Sequence, residues 1–254
     1  RRRFFAQWSA RLVFPALLLS MPAIAVVGTQ LETNKIAPQN CAVLGNRGIC
    51  SATQVGRYTL LSAAHCFNAR SPQPPLVNCD NSDFWQPSSS VILHPNFDPI
   101  QQPGEPLFND VALIRFDEPL ATQPAIPVFD RSLFEMILYG GEASCQLSGF
   151  GGSRSWDMRQ SAIPFNMSFH RLIESTDLLE QEIERIQGGD SGGGLLCDWG
   201  GQWYAMAVHE TVNRVEVTRF DENQNVVARY KKTLGMSRPL FHYQNWQNMQ
   251  RLIY

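Results

Sequence analysis

Three short stretches hold residue types that can do chemistry, and they occur in the order His, Asp, Ser. Leu60-Leu61-Ser62-Ala63-Ala64-His65-Cys66 sets a histidine among small residues at the end of an apolar run. Asn109-Asp110 opens the run Val111-Ala112-Leu113-Ile114-Arg115-Phe116, and Gly188-Gly189-Asp190-Ser191-Gly192-Gly193-Gly194 surrounds a serine with glycines. Glycine permits tight turns, so these flanks suit an exposed nucleophile whose neighbouring N–H groups converge on a developing oxyanion. Taken singly, each stretch has a plainer use: a structural histidine, an aspartate in a turn, a flexible loop. As a phosphate loop the third stretch fails, because no Lys-Ser/Thr pair follows its glycines. No C-x-x-C spacing and no H-E-x-x-H occurs, which argues against a zinc ribbon or thioredoxin-like motif, and a serine nucleophile activated by a histidine requires no metal or cofactor.

The elements that must position these residues are short. Residues 58–62, 91–93, 111–116 and 203–208 are apolar runs bounded by Gly, Pro, Asn or Asp, the pattern of buried strands. Val215-Glu216-Val217-Thr218 and residues 226–230 flank Asp221-Glu222-Asn223-Gln224-Asn225, which predicts a solvent-facing hairpin. A C-terminal helix is expected from Ser237 as cap and Pro239 in the first turn. Leu240, Tyr243, Trp246 and Met249 would form its buried face. Residues 172–186 carry helix formers and read as a short second helix. Many short strands with a terminal helix make an all-β barrel or sandwich.

Composition narrows the function. The chain has 254 residues, 44% apolar and 17% charged, with a formal net charge of −2. That excludes a disordered chain and gives no basic field for nucleic acid. Six cysteines form an even set and point to disulfides in an oxidising compartment. Arg1-Arg2-Arg3 precedes an apolar stretch at 12–27 that ends near Ala23-Ile24-Ala25, the layout of a secretory signal over residues 1–25. The stretch is shorter than the roughly 20 residues of a membrane span and holds Pro15 and Pro22. General and twin-arginine export both stay open, as does an uncleaved anchor.

Together the three stretches resemble the chymotrypsin/trypsin-like serine peptidases, whose catalytic residues follow the same chain order. The likeness extends over most of residues 26–254. His94-Pro95-Asn96-Phe97 looks like the segment upstream of the family's aspartate, and Ala125-Ile126-Pro127-Val128 like the connection between its barrels. Gly149-Phe150-Gly151 stands where the family has Gly-Trp-Gly, and Arg159-Gln160-Ser161-Ala162-Ile163-Pro164 resembles the strand after it. Two positions depart from the pattern. Gln187 replaces a cysteine that often braces the specificity pocket, and Gly194 replaces a proline.

The resemblance implies two six-stranded antiparallel β-barrels, residues 26–127 and 128–254, with a C-terminal α-helix. Ser191 would be the nucleophile, His65 its general base and Asp110 the residue orienting His65, with the Gly189 and Ser191 amides as oxyanion hole. Cys50 would pair with Cys66 and Cys145 with Cys197, and Cys41 and Cys79 would form the remaining bridge. Val26-Val27-Gly28-Thr29 looks like the start of mature family members, so a cut after Ala25 would release a Val26 ammonium to pair with Asp190. Arg185 stands at the position of the pocket base, and His209 resembles the histidine that holds a substrate carboxylate in glutamyl endopeptidases. An acidic side chain on the acyl side of the cut bond is therefore expected. The implied protein is a secreted or periplasmic monomeric endopeptidase acting on peptide or protein substrates, and a protein inhibitor is an expected partner. A weakly catalytic binding module and a membrane-anchored peptidase are the alternatives.

Overall fold

A computed structural model describes residues 36–45, 48–67, 69–70, 72–79, 84–99, 109–151, 161–164, 170–173, 178–181, 188–243, 245–246 and 249. The expected signal segment, Val26, Arg185 and Gln187 lie outside these.

Among the described residues the chain is mostly β and builds two sheets. The first holds β1 (Asn40–Gly45), β2 (Gly48–Gly56), β3 (Thr59–Ser62), β4 (Leu76–Asn78), β5 (Gln86–Pro87), β6 (Ser90–Leu93) and β7 (Ala112–Arg115). All neighbours are antiparallel, in the order β5-β4-β1-β2-β3-β7-β6. The run after Asp110 enters the centre: Val111, Ala112, Leu113 and Ile114 are all fully buried, as a strand covered on both faces requires. Each such large aliphatic side chain contributes about 1.5–3 kcal/mol on burial.

The second sheet contains β8 (Ile126–Pro127), β9 (Ser144–Gly149), β10 (Ser161–Pro164), β11 (His170–Ile173) and β12 (Leu178–Gln181). It is completed by β13 (Gly194–Trp199), β14 (Gln202–Phe220) and β15 (Val226–Pro239). The order is β10-β9-β13-β14-β15-β12-β11, with β8 paired in parallel to β14. In place of six strands each, the described residues thus give sheets of seven and eight, the surplus including the two-residue β5 and β8. The expected hairpin is there. β14 and β15 pair from Ala207↔Pro239 out to Phe220↔Val226, and the Asp221 carboxylate closes the turn by accepting from the Asn223 and Asn225 amides.

Two helix expectations are corrected. Residues 170–173 and 178–181 are strands, because Leu179 pairs with Ser237 at the edge of β15 and the sheet overrides local helix preference. Ser237 caps no helix: it lies within β15, paired with His209 on one side and Leu179 on the other. The chain then makes a 3-10 turn at Leu240–Tyr243, and of the helix expected beyond it Met249 is described as helical. The apolar face is nonetheless inside, with Leu240, Tyr243, Trp246 and Met249 all buried.

One α-helix is described along its length, α1 (Arg131–Tyr139). Asp130 caps it by accepting from the Leu133 amide at 2.7 Å, and Phe134, Ile137 and Leu138 form its buried stripe. Phe134 packs edge-on against Phe241, ring centres 5.1 Å apart. Among the described residues no helix is long and apolar enough to cross a membrane.

Candidate active site

His65 sits in a 3-10 turn, Ala64–Cys66, one residue beyond the end of β3. The Cys50–Cys66 disulfide ties this turn to β2. Asp110 lies at the mouth of β7 behind Asn109, whose φ of 57° is left-handed. Asparagine tolerates that conformation better than most residues. The turn aims the Asp110 carboxylate at His65: Oδ1 accepts from the His65 amide at 2.7 Å and Oδ2 from Nδ1 at 2.6 Å. Asp110 is fully buried, whereas the His65 side chain is 28% exposed. With Nδ1–H committed to the carboxylate, Nε2 is left as the ring's proton acceptor.

The Ser191 turn is fastened to the same place. Its carbonyl accepts from the Ser51 amide at 2.8 Å and lies 3.8 Å from Cys66 Sγ. Gly192 has φ 85°, and a Cβ there would come within 2.7 Å of the Ala63 amide nitrogen and into Ser51 and Ser62. Only glycine fits, so the chain after the nucleophile lies flat on the segment leading to His65. On the other side Gly192 donates to the His209 carbonyl at 2.8 Å and His209 donates to Gly193 at 2.9 Å. Among the described residues the Gly189 and Ser191 amides donate to no protein acceptor, and no hydrogen bond joins Ser191 Oγ to His65.

Asp190 is fully buried and accepts from the Gly151 amide at 2.8 Å. A Cβ on Gly151 would come within 2.8 Å of the Asp190 carboxyl carbon, and one on Gly149 would also collide with it. The Gly-Phe-Gly segment is thus shaped around this carboxylate. Ser51 joins the two parts, its Oγ donating to the Gly189 carbonyl and accepting from the Phe150 amide, each at 2.9 Å.

His209 is fully buried at the end of the β14 apolar run, with Nδ1 2.8 Å from Ser237 Oγ. All six cysteines are bridged, as Cys41–Cys79, Cys50–Cys66 and Cys145–Cys197. Cys50, His65 and Cys66 form a grouping of metal-ligand types, but the two sulfurs are bonded to each other and leave a lone imidazole.

Sequence reasoning overlooked the residues behind Asp110. Glu210 is buried and accepts from Arg238 Nε at 2.6 Å and from the Tyr243 hydroxyl at 3.0 Å. Burial and the Asp110 carboxylate push its pKa up to about 8, against the pull of Arg238 and the Tyr243 hydroxyl. The signal available was an acidic residue two positions after the unbroken run 203–208, directly after His209.

Residues 26–232 match the family model described as Trypsin. Transmembrane protease serine 9 of Rattus norvegicus is 29% identical over 205 residues, covering 71% of this chain. The chain spans 19% of that relative's length.

Proposed function

Because this chain belongs to the trypsin family of serine peptidases, we propose that it is a secreted endopeptidase working through Ser191, His65 and Asp110. Ser191 Oγ attacks the peptide carbonyl as His65 Nε2 takes its proton, and Asp110 holds the ring and stabilises the imidazolium. The observation that carries this reading is the pair of hydrogen bonds from His65 to the buried Asp110, at 2.7 and 2.6 Å. The uncommitted Gly189 and Ser191 amides support their use as oxyanion hole. Catalytic contacts such as Ser191 Oγ to His65 often tighten only once substrate is bound. Fluorophosphonate labelling and peptide hydrolysis test the reading: the wild type should label and cut, Ser191→Ala should do neither. A wild type that does neither, after cutting before Val26, overturns it in favour of a binding module.

Maturation and specificity belong to the same proposal. Removal of residues 1–25 frees a Val26 ammonium for Asp190, which the buried carboxylate beside Gly151 supports. A chain beginning at Val26 should be active and one carrying an extra N-terminal residue much less so. We also assign an acidic preference on the acyl side of the cut bond, read by His209 and Arg185. His209 supports this through its position directly behind the Gly192-Gly193 turn. Matched peptides decide it: faster kcat/KM on Lys or Arg than on Glu overturns the preference, and His209→Ala and Arg185→Ala show which residue reads the charge. The apolar N-terminal stretch and the transmembrane relative keep an anchored form as the second reading, decided by sequencing the N-terminus of the exported protein.

A further inference from the structure

Glu210 follows His209, whose backbone clamps Gly192 and Gly193 beyond the nucleophile. Its carboxylate accepts from Arg238 Nε and the Tyr243 hydroxyl, and these three residues and Asp110 are at most 4% exposed. They arrive from four segments: the turn before β7, β14, β15 and the 3-10 turn. Asp110 acts electrostatically on each of the other three. His94 packs against the cluster, its ring centre 5.9 Å from Tyr243 and 5.0 Å from Trp246, and its amide donates to Val111 next to Asp110 at 3.0 Å. His209, on the same strand as Glu210, is engaged with Ser237.

We propose that Glu210 is a positioning residue for the reaction: joined to Arg238 and Tyr243, it sets the electrostatic support that Asp110 gives His65. The inference rests on the peptidase reading above. While Glu210 is protonated, Arg238 carries an uncompensated charge near Asp110 and opposes the imidazolium that forms on His65. Once Glu210 ionises, it neutralises Arg238, and the Asp110 carboxylate acts undiminished. Arg238 stays charged, because the carboxylates and Tyr243 around it hold its pKa up against burial. Tyr243 stays a neutral donor, because burial and Glu210 push its pKa well up. Glu210 is therefore the group of the cluster that changes charge, with a midpoint of about 8.

The test is kcat against pH on one peptide, for the wild type, Glu210→Gln and Tyr243→Phe, each cut before Val26. The wild type should show a rise centred at about pH 8, roughly three- to tenfold in size for a charge change in a partly screened interior. Glu210→Gln imitates the protonated form, so it should stay on the lower plateau with KM unchanged. Tyr243→Phe, lacking one donor to the carboxylate, should move the midpoint upward, and it carries the test if Glu210→Gln does not fold. A merely structural role would lower thermal stability and leave the shape of the profile alone. Superimposable profiles in a wild type that labels and cuts overturn this inference only. A wild type that neither labels nor cuts overturns the peptidase reading as well.

Discussion

Ser51 holds Ser191 by its backbone, donating its amide to the Ser191 carbonyl at 2.8 Å from the far sheet. The same residue's hydroxyl takes up the Gly189 carbonyl and the Phe150 amide. Ser51→Ala keeps the first bond and loses the other two. It should cost about 1–3 kcal/mol, the usual penalty for a buried polar group left unsatisfied. Because Gly189 is a proposed oxyanion donor, kcat should fall by about tenfold with KM little changed. Urea unfolding and steady-state kinetics check both, and a stability loss with unaltered kcat would detach Ser51 from catalysis.

Asp110→Asn should leave the fold intact, since an amide oxygen can still accept from the His65 backbone. Its NH2 would instead face Nδ1 and force the opposite ring tautomer, lowering kcat by about 10,000-fold. The rate of fluorophosphonate labelling at Ser191 reads this directly, and a loss of tenfold or less would mean that another group orients His65.

Gly192→Ala places a side chain at φ 85° against Ser51, Ser62 and Ala63. Strain and overlap together should cost about 2–4 kcal/mol. An alanine variant within 0.5 kcal/mol of wild type, a limit of about the size of ordinary surface substitutions, would show that this turn is not clamped.

Glu210 makes stability depend on pH. Its folded pKa of about 8 lies above the ordinary 4.5, so the folded chain binds the extra proton between those values. Its contribution is then fully present below pH 4.5 and is lost as pH rises through about 8. Glu210→Gln, which cannot ionise, should gain on the wild type by on the order of a few kcal/mol across that window. Unfolding free energies measured at several pH values check it, and a constant difference would mean that Glu210 does not titrate there.

Much of this molecule is written in local composition. The run after Asp110 is continuous because it is covered on both faces, and Gly189, Gly192 and Gly193 are forced by close backbone approach. These demands act on single positions, so they can be read without the fold. The Glu210 cluster could not be read in that way. Its burial depends on Arg238 and Tyr243 returning from a later strand and turn, and in the sequence Glu210 merely precedes a polar hairpin. Ser237 misled for a related reason: its surroundings look like a helix cap, but two partner strands claim its backbone. α1 escaped notice because its buried stripe, Phe134, Ile137 and Leu138, is short and its cap, Asp130, follows a strand-like segment.

Ser51 belongs to one sheet and His209 to the other, and the Ser191 turn is bonded to both. The nucleophile therefore acts as a coincidence detector for assembly. A nascent or half-folded chain has one of the two grips and cannot present the serine in working geometry. For a chain whose proposed activity is to cut proteins, that arrangement withholds destructive power until folding is finished.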